Sequence, residues 1–288
     1  MTGHRMTEEN KTAALYVVAT PLGHIADITQ RALETLRSVD AIACEDTRHT
    51  RYLLDQYGIR VPTFSLHQHN EAAAAQKLVA LLGEGKSIAL VSDAGTPAVS
   101  DPGARAVAAV RAAGFPVIPL PGPNAAITAL SAAGLEDAHF HFVGFLPAKA
   151  GARRQQIESL RPIAATLVFY EAPHRILETV ADLAELLEPQ RTLVVARELT
   201  KLFEQIAAMP LTDGVAWLAA DGNRQRGEFV LLVSAPPPAE GLPDTALRTL
   251  RLLLAELPLK QAVKLAAEIS GAPKNALYDL ALQMTREG

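Results

Sequence analysis

The 288-residue chain contains a single cysteine, Cys44, so it can close no internal disulfide, and nothing in it points to an oxidising compartment. Neither sign of charge dominates. Its 27 basic and 31 acidic residues leave a net charge of −4, which excludes a broad electropositive surface for a polyanion. Any RNA contact must therefore come from local basic patches. No apolar run approaches the roughly 18 residues that span a bilayer, so no membrane partner is expected. The first dozen residues, MTGHRMTEENKT, lack the apolar segment of a secretory signal and read as a flexible tail. Nucleotide and hydrolase signatures are missing too: there is no GxGxxG, no GxxxxGK[ST] and no GxSxG. His67 and His69 have no further ligand types at zinc-site spacing, so no metal is expected.

What is present is a globular composition, 49% hydrophobic and 20% charged. From Leu15 to about Pro119, short apolar strands (LYVVAT, AIACED, SIALVSD, FPVIPLPG) alternate with helical patterns. Cys44 lies in one of these strands and reads as a small core residue. The segment DITQRALETLRS places Ile28, Ala32, Leu33 and Leu36 on one helical face, with Asp27 as its expected N-cap. This alternation implies an α/β fold with a mostly parallel sheet covered on both faces. PLPGPN, with three prolines in six residues, cannot continue a helix or a central strand and marks a junction. A second α/β unit follows, carrying TLVFYEAPHR, RTLVVARELT and EFVLLVSAP, then a proline-rich linker and a helical tail. The expected division is a tail at 1–12, α/β domains at 13–120 and 121–236, and a linker with short helices at 237–288.

Three glycine-bearing turns follow apolar strands: ATPLGHIADIT, VSDAGTPAVSDPG and PLPGPNA. In open α/β sheets ligands bind at such strand ends, where glycine lets the backbone approach, and the following helix can offer free amides to an anionic group. Asp93 could instead serve as a helix N-cap. Charged clusters also sit just after apolar strands: Glu45, Asp46 and Arg48 in EDTRHT, Glu171, His174 and Arg175 in EAPHR, and Arg197, Glu198 and Lys201 in RELTK. A carboxylate in such a place needs a partner, so these are either structural ion pairs or catalytic groups. The best local basic patch is Lys149, Arg153, Arg154 and Arg161, with Glu158 the only acid among them; Arg224 and Arg226 form a smaller one.

Taken in order, ATPLGHIADIT, EDTRHT, LVSDAGTPAVSDPG, PLPGPNAAITALSAAGL, GFLPAK, FYEAPHR and ARELTK resemble the tetrapyrrole-methylase superfamily of class III methyltransferases. More narrowly, the chain resembles the ribosomal RNA small subunit methyltransferase I family. The resemblance implies two α/β domains with a cofactor cleft between them, plus a small C-terminal helical segment. It implies S-adenosylmethionine as cofactor, with Pro21, Ser92, Asp93, Gly95, Thr96, Asn124, Ala125 and Tyr170 lining the cleft. It also implies methylation of a cytidine ribose 2′-hydroxyl in the decoding region of 16S rRNA within the small ribosomal subunit, by a cytoplasmic homodimer. The candidate catalytic residues are then Glu45, Arg48, Glu171, Arg175, Glu198 and Lys201, with no single base singled out, and the candidate RNA contacts are Lys149, Arg153 and Arg154. Two alternatives stay open: a tetrapyrrole methylase, and a non-catalytic RNA-binding assembly factor on the same fold.

Overall fold

The computed structural model describes residues 13–237 and 242–287. The expected tail at 1–12 and the middle of the proline-rich linker lie outside the described residues. Five strands, β1 (Leu15–Val18), β2 (Ala41–Cys44), β3 (Thr63–Ser65), β4 (Ile88–Val91) and β5 (Val117–Leu120), form a wholly parallel sheet in the order β3-β2-β4-β1-β5. Its central strand β4 is buried along its whole length, as expected for a sheet covered on both faces. Helices α1 (Gln30–Ser38) and α2 (Thr47–Gln56) pack Leu36 and Leu54 against Val18 and Ile42 on one face. Helices α3 (Glu71–Gly83) and α4 (Ala104–Ala112) pack Leu78 and Val110 against Leu15 and Leu90 on the other. Strand β3 is three residues long and follows Pro62, too short a pattern to stand out in the sequence. Cys44 is fully buried and its thiol donates to the Phe64 carbonyl. Burial pushes that thiol's pKa up, which keeps it an inert core residue.

One helix start differs from expectation. Asp27 is absorbed into a single 3₁₀ turn, Ile25–Asp27, its own N–H bonded to the His24 carbonyl. Thr29 caps α1 instead, its Oγ1 accepting from the Ala32 N–H at 3.1 Å. A cap must stand just before the first helical residue, and the extra turn moves that place two residues on.

A second five-stranded sheet contains β6 (Phe140–Phe145), β7 (Thr166–Glu171), β8 (Thr192–Arg197), β9 (Gln205–Pro210) and β10 (Phe229–Val233), in the order β6-β7-β10-β8-β9. Only β6 and β7 run parallel; β10 lies antiparallel between β7 and β8, and β9 is antiparallel to β8. Helix α5 (Ala125–Ala133), which follows directly on the third glycine-bearing turn, covers one face through Ala126, Ala129 and Ala133. Helices α6 (Ala150–Leu160), α7 (Ile176–Leu186) and α8 (Gly214–Ala219) cover the other. Both sheets belong to one compact unit that ends at Ala235. A separate unit holds α9 (Asp244–Glu256), α10 (Leu259–Ser270) and α11 (Lys274–Glu287) around Leu250, Val263 and Leu277. Gly271, at φ 69°, ends α10 in the left-handed conformation that glycine adopts without strain. No helix among the described residues is long and apolar enough to cross a membrane.

Candidate functional site

Strands β4, β1 and β5 are neighbours, so the three glycine-bearing turns emerge side by side. They are sewn together. Thr20 and Gly95 exchange backbone hydrogen bonds at 2.9 Å in each direction, and the Thr20 hydroxyl donates to the Ser92 carbonyl. The Thr96 hydroxyl donates to the Pro123 carbonyl at 2.9 Å. A Cβ on Gly122 would come within 2.8 Å of the Ala19 Cβ, so glycine is needed for the first and third turns to touch.

Between these turns and the second sheet lies a cleft of about 400 Å³, within the range of small-molecule sites. Of the residues expected at a cofactor, Asp93, Gly95, Thr96, Asn124, Ala125 and Tyr170 line it. Ser92 stands behind the wall, its hydroxyl turned back onto the Ala94 and Gly95 carbonyls. Pro21 is also outside the lining, where its neighbour Leu22 takes part.

Some of the helix amides expected to receive an anion are already occupied. At α5, Asn124 accepts from the Ile127 N–H and the Tyr170 hydroxyl accepts from the Ala126 N–H. At α4, the buried Glu71 carboxylate accepts from Gly103 and Arg105. At α1, Thr29 does the same for Ala32. Capping by the protein's own side chains thus takes up part of each helix end and leaves fewer amides there for a ligand. Asp93 is not a cap either: its Oδ1 accepts from the Asp46 N–H, tying EDTRHT to the second turn.

The cleft carries a group absent from the sequence candidates. Asp101 lines it beside Asp93. Burial raises its pKa to about 6; the Ser92 hydroxyl opposes that rise and the Asp93 charge adds to it. Glu45 is raised as well, first by burial and then by Asp93, Asp101 and Asp46. The turn presenting Asp101 is strained, since Ala98 and Ser100 hold φ of 66° and 63° without being glycine. Such conformations cost about 1–3 kcal/mol each and persist where packing imposes them, often at functional sites. The signal for Asp101 was its place in SDPG, a second Asp-Gly turn eight residues beyond Asp93.

The other candidates are bound up in pairs. Glu171 lines the cleft, but its carboxylate accepts from the Ala172 N–H, the Thr179 hydroxyl and Arg175. Arg175 also donates to the Leu146 carbonyl at 2.7 Å. With the Glu171 carboxylate taken up by three donors, this pair braces the cleft floor rather than moving protons, although the buried Arg175 Nε is left without a partner. Glu198 and Lys201 form a strained clasp: Glu198 holds φ 52°, and Lys201 Nζ bridges Glu198 and Glu228 at 2.9 and 2.8 Å. Burial would raise the Glu198 carboxyl, but Lys201 and the Glu228 N–H outweigh it and hold the pKa below the usual range. For Lys201, burial is outweighed by Glu228 and Glu198, so its pKa rises and the amine stays charged. The clasp reaches the first turn, where the His24 N–H donates to the Thr200 hydroxyl. Arg48 is exposed and paired with Asp46, whose pKa the guanidinium holds down to about 2. Arg197 is buried and donates to the Arg226 carbonyl, and His174 is exposed.

The basic patch is corrected most. Arg153 is 2% exposed and its guanidinium meets Asp182 at 2.6 Å and Glu178 at 3.3 Å. Arg154 pairs with Asp182 and Glu185. Arg161 pairs with Glu188, and Arg224 lies over the Trp217 ring. Glu178, Asp182 and Glu185 recur at helical spacing on α7, so the basic face of α6 meets an acidic stripe from a distant segment. Of the three RNA candidates only Lys149 is exposed and makes no ion pair among the described residues. Among the described residues no His, Cys, Asp and Glu set could hold a metal, and His67 and His69 stack edge to face.

Residues 14–213 match the family described as Tetrapyrrole (Corrin/Porphyrin) Methylases, and residues 240–285 match the RsmI C-terminal HTH domain. The chain is 53% identical over 276 residues to the ribosomal RNA small subunit methyltransferase I of Escherichia coli O157:H7, covering 96% of each chain. It is 53% identical to the protein of the same name from Vibrio cholerae, covering 96% of this chain and 97% of the relative. Among solved structures, a cobalt precorrin-4 methyltransferase superposes with a TM-score of 0.60 at 14% identity, over 80% of this chain and 98% of that one. A uroporphyrin-III C-methyltransferase from Thermus thermophilus, complexed with S-adenosylhomocysteine, gives 0.55 at 17% identity, over 77% and 97%. These structures share the fold, and the sequence relatives narrow it: the chain belongs to the ribosomal RNA small subunit methyltransferase I family, within the tetrapyrrole methylases.

Proposed function

We propose that the chain transfers a methyl group from S-adenosylmethionine to the ribose 2′-hydroxyl of a cytidine in the decoding region of 16S rRNA. The observation that carries the chemistry is Asp101, a partly buried carboxyl at the cleft wall with a pKa of about 6. A general base is most useful with a pKa near the working pH, and no other candidate is both in the cleft and tuned that way. Family relatives about half identical over nearly the whole length supply the rRNA substrate. Tetrapyrrole methylases share the fold at 14–23% identity, which favours the RNA reading over the porphyrinoid one.

The cleft fits the cofactor. S-adenosylmethionine supplies a methyl group on a sulfonium cation, and Asp93 on the turn side of the cleft has matching negative character. The backbone of residues 93–96, with Asn124, Ala125 and Tyr170, would hold it, while Pro21 and Ser92 brace these turns from behind. The chain's own work is alignment and proton transfer. Holding the acceptor oxygen in line is worth about 7–11 kcal/mol at best. Asp101 would take the hydroxyl proton as the oxygen displaces sulfur from the methyl carbon, the methyl–sulfur bond breaking with its electron pair left on a neutral thioether. Glu171–Arg175 and Glu198–Lys201 keep the second-sheet side of the cleft in place. The lobe at 13–120 with the turn at 121–125 forms one wall, and the rest of the lobe at 121–236 the other.

The test is to incubate the protein with labelled cofactor and small ribosomal subunits from cells lacking the modification. Label on a ribose of 16S rRNA is expected. An unlabelled subunit, or label on a porphyrinoid instead, would overturn the reading. Family resemblance also carries a cytoplasmic homodimer, which sedimentation of the purified chain tests.

A further inference from the structure

Strand β6 contains a bulge with a consequence for the cleft. Its register against β7 pairs Phe142 with Val168, Gly144 with Phe169 and Phe145 with Tyr170, so Val143 is the extra residue. In a regular strand, side chains three apart point to opposite faces. The bulge brings Phe142 and Phe145 to the same face, on either side of Tyr170, with ring centroids 5.1 and 5.7 Å from it. Gly144 makes this possible: it holds φ 73°, and a Cβ there would sit 3.0 Å from the Ser100 Oγ. Tyr170 is fixed in turn by the Ala126 N–H. The outcome is a phenyl ring that lines the cleft and is 54% exposed.

We propose that Phe145 is the platform on which the base of the acceptor nucleotide stacks, an assignment that rests on the RNA reading of the cleft. Two observations direct the ring to a planar base. Gly144 packs near Ser100, the residue beside Asp101, where a Cβ would come 3.0 Å from its Oγ, and Phe145 lines the same cleft as the group that takes the hydroxyl proton. In a nucleotide the carbon bearing the base adjoins the carbon bearing the 2′-hydroxyl, so a ribose held at Asp101 carries its base to this side. The cleft is also lined by Asp93 and Asp101, which repel phosphates, while Glu228 is tied to Lys201, so affinity beside this ring is best supplied by uncharged contacts. Stacking on an aromatic side chain is such a contact and requires a base turned out of its neighbours. The adenine of the cofactor has the same planar chemistry. The acceptor is the better occupant because Phe145 is on β6, the edge strand of its sheet, whereas the residues proposed for the cofactor lie mostly in the turns of the opposite wall, with Tyr170 alone shared between the two sides.

The experiment compares wild type with Phe145→Ala, Phe145→Leu and Phe145→Trp. It measures the Kd for unmodified small ribosomal subunits in the presence of S-adenosylhomocysteine, the calorimetric Kd for S-adenosylhomocysteine alone, and KM and kcat. Alanine and leucine should each weaken subunit binding and raise KM by roughly 5- to 100-fold, the range expected for one lost stack. Tryptophan should restore both, and the Kd for S-adenosylhomocysteine should stay within twofold in every variant. Subunit affinity unchanged in the alanine variant overturns the proposal. So does weakened S-adenosylhomocysteine binding with normal subunit affinity, which gives the ring to the cofactor's adenine. So does a shift in sedimentation with normal affinity, which gives it to a second copy of the chain. A wild-type protein that methylates no rRNA would instead overturn the functional reading on which the proposal stands. An unchanged melting temperature confirms that the exposed site tolerates each substitution.

Discussion

Two clusters of charge in this chain look alike on paper and behave oppositely in space. On α6 and α7, Arg153 and Arg154 meet Glu178, Asp182 and Glu185, and each cation has a carboxylate within 3.3 Å. At the ends of the first sheet's strands, Glu45, Asp93 and Asp101 gather with no ion pair to a cation among the described residues, and two of the three are pushed toward neutrality. Paired charge is structure: it satisfies itself and has nothing left for a ligand. Gathered charge of one sign is costly in the empty protein, and a cationic ligand or a transferred proton relieves it.

The largest expected effect falls on the unpaired cluster. Asp101→Asn should lower kcat by roughly 10²–10⁴-fold, the usual worth of a positioned base, with the cofactor Kd little changed. Wild-type kcat should rise with pH up to about 6 and then level, as Asp101 loses its proton. Stability should move the other way. The folded pKa of about 6 lies above the ordinary 3.8, so the folded state binds this proton more tightly. The stabilisation is complete below about pH 4 and lost as pH climbs through 6. Asp101→Asn should therefore melt higher than wild type above pH 6, with the gap closing toward pH 4. Equal activity of the two proteins would break the comparison at its functional end.

Arg153→Ala tests the paired cluster. It leaves Asp182 without its closest partner at a nearly dry site, and should cost about 3–5 kcal/mol in denaturant melts. RNA affinity per folded molecule should not change; a selective loss of RNA binding would return Arg153 to the interface. Asp93→Asn separates charge from hydrogen bonding, because Oδ1 can still accept from the Asp46 N–H. Calorimetry should show cofactor binding weakened roughly tenfold, about 1.4 kcal/mol. Undiminished affinity would reduce Asp93 to a tie between two loops. The smallest effect belongs to Lys149→Glu, which should weaken RNA binding a few-fold and reduce its salt slope by about one or two contacts. An unchanged slope would leave the exposed lysine without a role.

Much of the fold was legible because its signals are local. Strands such as AIAC and IALV announce a buried parallel sheet, and Gly58, Gly85 and Gly271 end their helices where the pattern stops. The strands missed were β3, too short, and β9, whose QIAAMP alternates only weakly. The three turns that line the cleft were legible from glycine and proline spacing.

The sequence alone determined the elements, the three turns and, through its motifs, the family. Whether a charge is free or spent was decided only by tertiary structure, because the partner comes from a segment far along the chain. Arg153 is 29 residues from Asp182, and Asp46 is 47 from Asp93. For Asp101 the neighbouring carboxylate, Asp93, is only eight residues away, but the burial that raises its pKa most, and the fold of the turn that brings the two together, come from tertiary packing. That burial has no trace in the residues beside it.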